Sequence, residues 1–325
     1  NNYSQSSKVF DFPTILYTDI DVTNLQRHVG TLRETAIQGL EVVAKADATT
    51  TDEQRYNLYY IKGYSYLLAG EYFRALPVEN GGEVKGWKEN LNLAISTFTE
   101  ALKFTSDTDE TAFINTLIAR AYYRLGDKVN AVKYASNVLT LSTDFTKQVT
   151  FDGENNVISS IQGYIYGTNF QPLPRLDFLD PKYFQTKAKE ARPICIAKAE
   201  EPYLILAEAA LADNDVNGAK GFLKTLLTLV SNRPVATDIN DQLEGRYNGG
   251  YKEYPNSSEY RVAASSEDEF RSGLVLDRQS PHLISVPYIS GTSVTEEMID
   301  APTTVDGLLE VLYLMRQEIF MAEGR

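Results

Sequence analysis

Apolar residues fall at helical spacing on both sides of a short polar stretch at residues 213–218. The chain reads EPYLILAEAALA before it and GAKGFLKTLLTLV after it, both dense in Ala and Leu, which helices favour. This pattern predicts two helices joined by a short polar turn, an antiparallel hairpin. The turn, DNDVNG, raises one chemical possibility. Asp213, Asp215, Asn217 and Gly218 match positions 1, 3, 5 and 6 of a calcium-binding loop. Position 12, where a bidentate Glu should close the shell, is Lys224, and a cation there opposes a metal. The favoured reading is a polar turn, with no metal site.

The same pattern recurs along the chain. In tetratricopeptide repeats the first helix carries a small residue where it packs and an aromatic three residues on, and a turn leads to a second helix with a closely packed Ala. NTLIARAYYRLGDKVNAVKYASNVLTL fits, with Ala119, Tyr122, Gly126-Asp127, Ala131, Ala135 and Val138 in register. YIKGYSYLLAGEYFRALP fits too, with Gly63, Tyr66, a turn expected at Gly70-Glu71, and Ala75. In the hairpin described first, Ala207 and Ala210 precede the turn, and Ala219 and Leu223 follow it. WKENLNLAISTFTEALKF reads as a second helix, with Ala94, Phe98 and Ala101 on its packing face. A regular solenoid repeats about every 34 residues, whereas these packing alanines are unevenly separated. The expected fold is mainly α: tetratricopeptide-like helical hairpins in a curved frame, decorated by long loops with a few short β-strands.

The frame is expected mainly over 52–145, 197–232 and 305–325 of a single domain, 1–325. The segments between differ in composition. PVENGGEVKG (77–86) is turn-rich, and 146–196 mixes β-branched runs with Pro-bearing turns. Residues 233–304 are rich in Gly, Pro, Asn, Ser and Tyr. Long loops are uncommon in compact domains unless they are functional or flexible, so binding is expected there.

Composition narrows the function classes. With 43% hydrophobic and 23% charged residues, this is an ordinary folded chain. Its net charge of −13 argues against nucleic acid as a partner and against an anionic membrane surface. A single cysteine, Cys195, excludes an internal disulfide and any Cys-rich metal site, and it reads as a small buried hydrophobe. No stretch approaches the roughly twenty apolar residues of a spanning helix. The start, NNYSQSSKVFDFP, lacks the basic and apolar regions of a signal peptide, so the chain reads as soluble as given.

Catalytic patterns are not evident. His28 and His282 are far apart, and neither accompanies a nucleophile motif. There is no Gly-x-Gly-x-x-Gly, phosphate loop or His-Glu-x-x-His, and no cofactor is expected. Forty-four acidic residues leave room for a glycosidase pair, which spacing in sequence does not report.

The ordered set of segments resembles the SusD/RagB family, surface nutrient-binding lipoproteins of Bacteroidetes. YYIKGYSYLLAGEYFRALPVENGG resembles the family's early aromatic-rich helix and turn, and WKENLNLAISTFTEALKF its next helix. DETAFINTLIARAYYRLGDKVNAVKYASNVL is similar to its Ala-rich helix, Gly-Asp turn and following helix. AKAEEPYLILAEAALADNDVNGAKGFLKTLLTLVSNR resembles its Ala-Glu-Ala helix, turn and second helix, ending at Arg233. LLEVLYLMRQEIFMAEGR is similar to its closing helix, with Glu318, Glu323 and Gly324. Lys198 stands near a usual Arg, and the family continues beyond Glu-Gly, so a further C-terminal part is expected outside this sequence.

The resemblance implies a non-enzymatic protein in the outer membrane, facing outward and held by a lipid anchor that this sequence does not contain. It implies capture of an oligosaccharide or polysaccharide and delivery to a SusC-like TonB-dependent transporter. Sugar rings stack their C–H faces on aromatics, while their hydroxyls pair with Asn, Asp and Arg. Candidate ligand-binding residues are therefore Trp87 with Asn90, expected on one helix face, and Tyr164 with Tyr166, on one side of a strand. Arg246, Tyr247, Tyr251 and Tyr254, in a polar stretch with Tyr260, complete the set. Packing under the loop accounts equally for Trp87, and a hairpin core is the favoured account of Tyr164 and Tyr166. Glu318, Glu323 and Arg325 are expected to pair structurally. Two alternatives stay open: a tetratricopeptide-like scaffold for a protein partner, and a cryptic glycoside hydrolase with a shifted carboxylate.

Overall fold

Capping chemistry sets the helix boundaries. The computed structural model describes residues 20–155, 157, 159, 182, 191–240, 283–321 and 323, and every structural statement below concerns these. The observed fold is mainly α with small two-stranded sheets. The chain divides into two compact units, Asn1–Thr146 with Ala197–Ala209, and Lys147–Ile196 with Ala210–Arg325.

In the first unit, helix α1 (Ile20–Gln38) widens into a π-helical turn over Gly39–Val43 and closes in Ala44–Ala46. Arg55 donates to the Ala44 carbonyl at that end (3.3 Å). Helix α2 (Asp52–Tyr72) starts at a full capping box: Thr51 Oγ1 accepts from the Gln54 N–H, and Gln54 Oε1 accepts from the Thr51 N–H. A short hairpin follows, β1 (Ala75–Pro77) antiparallel to β2 (Val84–Gly86), and leads into α3 (Trp87–Ala101). Helix α4 (Thr108–Leu125) is capped by Asp107 and ends at Gly126. Gly126 takes φ 76°, and the N–H groups of Gly126 and Asp127 return to the Tyr123 and Tyr122 carbonyls. The Asp127 side chain then caps α5 (Lys128–Leu141).

Packing in this unit is sequential: α2 lies most extensively against α3, and α4 against α5. Small residues allow the close approach. A Cβ on Gly63 would stand 2.6 Å from the Phe98 ring, so the missing side chain of α2 is the socket for α3's largest buried group. Ala94, Ala101, Ala119, Ala131 and Ala135 are buried as their spacing predicts, and Tyr122 stacks on Tyr134 at 5.6 Å. Helix α4 is buried continuously from Ala112 to Ala121, as befits the centre of the unit.

One expected feature is overturned. The turn predicted at Gly70-Glu71 does not form, because α2 continues to Tyr72 and Ala75 opens a strand with its side chain exposed. Gly70 is needed for a different reason: a Cβ there would lie 2.9 Å from the Trp87 carbonyl and 2.6 Å from Leu91. The second helix of this pair is α3, reached through the β1–β2 hairpin.

Two polar ties bind later residues to α4. Arg120 is buried and holds Glu201 through two parallel bonds of 2.6 Å, and the Tyr123 hydroxyl donates to Glu208 (2.9 Å). Both acids lie on helix α6 (Glu200–Ala212).

Strand β3 (Thr146–Val149) pairs with β4 (Ile194–Lys198). In the second unit, Cys195 is buried as expected, with the Gln148 amide 3.4 Å from its sulfur. The turn at 213–215 closes with the N–H groups of Asp213 and Asp215 on the Ala210 carbonyl. Asn214 adopts φ 59°, and Asp215 Oδ1 accepts from the Gly218 N–H (2.8 Å), capping α7 (Val216–Ser231). A Cβ on Gly218 would collide with that capping carboxylate. The residues that matched a calcium loop thus form a helix start. Lys224 pairs instead with Asp300 (2.8 Å) and Glu296 (3.0 Å) of α8 (Glu296–Asp300).

Strands β5 (Val235–Asn240) and β6 (Leu283–Pro287) pair antiparallel with an irregularity between Ala236 and Ile239. Helix α9 (Val305–Phe320) buries Leu308, Leu312, Met315 and Ile319 on one face. The Lys182 ammonium donates to the Ile319 and Met321 carbonyls and to Glu323 at that helix's end (3.1, 3.1 and 3.0 Å). Glu318 accepts from Thr292 Oγ1 and from the Ser293 N–H and Oγ, pinning the loop before α8. Glu323 thus has a charged partner in Lys182, Glu318 is held by the neutral donors of Thr292 and Ser293, and Arg325 lies outside the described residues.

Two stability effects follow. Gly63→Ala should cost about 1–3 kcal/mol in urea unfolding, since the Phe98 ring must move, and the increment should shrink in a Phe98→Leu background. Tyr60, which meets the Phe113 ring edge-on at 5.2 Å, has its pKa pushed up to about 12 by burial and then by Tyr64 and Glu110. The folded state therefore holds that proton more tightly than the unfolded chain. Stability should be full below pH 10 and decline as pH rises towards 12, and Tyr60→Phe should flatten the decline in denaturant midpoints across that window.

Candidate functional site

Residues 73–90 connect the hairpin to α3 and carry the first two candidate residues. The Trp87 N–H donates to the Arg74 carbonyl (3.0 Å), which anchors the start of α3 to the end of α2. Its indole is half-buried, and the Lys88 ammonium lies 5.3 Å from the ring centroid. Lys88 itself is exposed, so part of the aromatic surface faces solvent and an adaptable cation.

Asn90 is placed differently from the expected shared face. It is fully buried, and its amide donates to the carbonyls of Lys85 (3.0 Å) and Gly86 (3.1 Å). Those bonds hold the hairpin's second strand against the first turn of α3. The physical reason is the hairpin-to-helix junction, whose carbonyls need donors once it is buried. Glu89 Oε2 accepts from the Gly86 N–H (2.6 Å), while the Asn90 amide reaches back one turn and donates to the carbonyls of the junction. Asn90 therefore serves the scaffold beneath Trp87. Tyr164, Tyr166, Arg246, Tyr247, Tyr251, Tyr254 and Tyr260 lie outside the described residues.

A feature that sequence reasoning missed lies between α1 and the hairpin. A groove of about 580 Å³ runs between α1, from Thr23 to Gln38, and the hairpin, from Leu76 to Gly81. That volume falls in the range of about 300–1,000 Å³ typical of small-molecule sites. The hairpin wall is locked from below: the Tyr66 hydroxyl donates to the Val78 carbonyl (3.1 Å), and Val78 and Gly82 close the tip onto the Glu83 and Glu79 carbonyls. Gly81 takes φ 71° there. The helical wall is mostly Thr, Gln, Arg and Glu, interrupted by Gly30.

Other polar clusters do structural work. Tyr56 donates to Glu110 (2.5 Å), and burial followed by that carboxylate raises its pKa. The carboxyl pKa values of Asp47, Asp127, Asp152 and Glu297 are held down by hydrogen bonds at turns or helix starts. A general acid needs the opposite direction, so these four do not fit that role. Among the described residues no group of three or more His, Cys, Asp or Glu side chains is arranged to hold a metal, and no helix is long and apolar enough to cross a membrane.

No family model matches the chain, and no curated protein does. Among solved structures, the chain is similar to a SusD-like carbohydrate binding protein from Bacteroides vulgatus, with a TM-score of 0.51 and 13% identity over 93% of this chain and 67% of that one. A second protein from the same organism, provisionally described as sugar binding, aligns with a TM-score of 0.45 and 14% identity over 64% of this chain and 65% of that one. The chain thus spans about two thirds of the length of either protein. The first likeness establishes a SusD-like fold.

Asn90→Ala should lower stability by about 1–3 kcal/mol, because the Lys85 and Gly86 carbonyls lose their donors. Chemical denaturation checks this, and a change in ligand affinity with no loss of stability would contradict the scaffold role.

Proposed function

We propose that this protein is a non-catalytic carbohydrate-binding protein. It captures an oligosaccharide or polysaccharide at the cell surface and hands it to a TonB-dependent transporter of the SusC kind in the outer membrane. It reaches that membrane through a lipid anchor outside this sequence. The observation that carries the reading is the SusD-like fold, similar over 93% of the chain to a carbohydrate binding protein.

The chemistry is compatible. A half-buried indole offers a face for sugar C–H groups, and the groove beside the hairpin offers many neutral hydrogen-bonding side chains. A net charge of −13 suits a neutral ligand better than a polyanion. The Tyr-rich stretch around Tyr247, Tyr251 and Tyr254 is a further part of the proposed binding surface, with Arg246, Tyr164 and Tyr166.

Affinity gel electrophoresis and calorimetry against plant and host polysaccharides test the reading. The wild-type protein should bind at least one glycan, and Trp87→Ala should weaken that binding tenfold or more with an unchanged melting temperature. Unchanged binding in Trp87→Ala would move the site to the Tyr-rich stretches. Failure to bind any glycan would overturn the reading.

A further inference from the structure

In an Asn-Gly pair the asparagine side chain is unusually open to attack by the next backbone nitrogen, because glycine has no Cβ to shield that nitrogen. The chain contains three such pairs, Asn80-Gly81, Asn217-Gly218 and Asn248-Gly249, the last outside the described residues. The fold treats the other two in opposite ways. Asn217 lies in the first turn of α7, and the Gly218 N–H is committed to the Asp215 carboxylate (2.8 Å). Asn80 and Gly81 are both exposed at the tip of the β1–β2 hairpin, and a Cβ on Gly81 would meet nothing within 4 Å. There the Gly82 N–H donates to the Glu79 carbonyl and the Val78 N–H to the Glu83 carbonyl, so neither tip bond uses the peptide unit between Asn80 and Gly81. With Gly81 at φ 71° and Asn80 outside the positive region, residues 79–82 form a type II turn. Rotation about Asn80 ψ flips its central peptide, and glycine at 81 puts no side chain in the way.

We propose that Asn80 is a self-modification site, at which the hairpin wall of the groove gains a negative charge by deamidation. The Gly81 nitrogen, on losing its proton to hydroxide, attacks Asn80 Cγ. The new N–C bond closes a five-membered succinimide, the Cγ–Nδ2 bond breaks, and ammonia leaves after taking a proton from water. A second water then opens the ring. Breaking the Cγ–N bond gives aspartate, and breaking the backbone C–N bond gives isoaspartate, in which the chain runs through Cβ. The net change is one amide and one water converted to a carboxylate and ammonium, with no other reactant. Its consequence falls on the groove. Arg27 and Arg33 are there balanced by Glu34 and Glu79, and a new carboxylate next to Glu79 tips the lining to net negative. Isoaspartate also lengthens the turn by one backbone carbon, which works against the Glu79–Gly82 bond and the Pro77–Val84 pairing behind it. At Asn217 the helical backbone and the capping bond hold the Gly218 nitrogen away from the same attack. The inference is independent of which ligand the protein binds.

Peptide mapping by mass spectrometry tests this after the full chain is aged at body temperature, at neutral and mildly alkaline pH, both native and in urea. In the native protein, deamidation at Asn80 should exceed that at Asn217 at least tenfold. It should rise with pH, because the attacking nitrogen must lose its proton, and part of the product should be isoaspartate. In urea the two sites should converge, since the helix and its capping bond are gone. Asn80→Gln should stay unmodified at that position, because the longer side chain disfavours ring closure, and an exposed tip residue leaves its melting temperature unchanged. An Asn80 that stays as intact as Asn217 in the native protein, whether or not it reacts in urea, overturns the proposal. Equal, fast reaction at both sites in the native protein overturns the part given to the hairpin tip.

Discussion

The Arg120–Glu201 pair is the constraint on which the first unit depends. Its partners are 81 residues apart in sequence, and both are almost fully withdrawn from water. Burying either charge alone would cost several kcal/mol, and the pair offsets this only by its bidentate geometry, with two bonds of 2.6 Å. Such a pair contributes little net stability compared with a well-packed apolar substitute. Its effect is on specificity: only one placement of α6 against α4 satisfies both ions. Glu208, accepting from Tyr123 two turns further along, fixes the rotation of the same helix.

Around that pair, packing is decided by absent side chains. Gly63 receives the Phe98 ring, Gly70 lets α3 approach through its own backbone carbonyl, and buried alanines line the α4 and α5 contact. Helices this close exclude water from their faces, so what polar groups remain must be satisfied within the protein. Tyr66 and Tyr56 show how: each donates its hydroxyl proton to a backbone carbonyl or a carboxylate in a neighbouring element, as Asn90 does with its amide N–H groups. The second unit uses the same economy at α9, where Glu318 gathers three donors from residues 292–293 and Lys182 closes the helix end.

Arg33 is held differently: its Nε faces Glu34 Oε1 at 3.6 Å, an ion pair rather than a hydrogen bond. Both residues line the α1 wall of the groove. The β1–β2 hairpin that forms the opposite wall is itself tied down by Tyr66, so the groove is pre-shaped on both sides. Pre-shaping lowers the ordering cost of binding a flexible, hydroxyl-rich ligand.

Much of the fold was legible in sequence because it rests on local rules. Small residues at helical spacing located α3 to α7, Gly126-Asp127 marked a helix end and the next cap, and DNDVNG marked the polar turn before α7. Helix α1 went unread although Val29, Ala36, Leu40 and Ala44 repeat at its period, because Arg33 interrupts the apolar stripe at a buried position. Gly70 was misread as a turn for a related reason: glycine signals either chain reversal or close approach, and only the neighbouring helix decides which. The same holds for the site. Trp87 and Asn90 share a helical spacing, but burial separates them, one towards solvent and the other under the hairpin. Sequence determined which residues could cap, pack and pair within a few turns, since those effects act over one helical repeat. Tertiary structure alone decided that residues 81 apart would share a buried charge pair, and that α1 and a two-stranded hairpin would enclose a groove, because both depend on desolvation by segments distant in the chain.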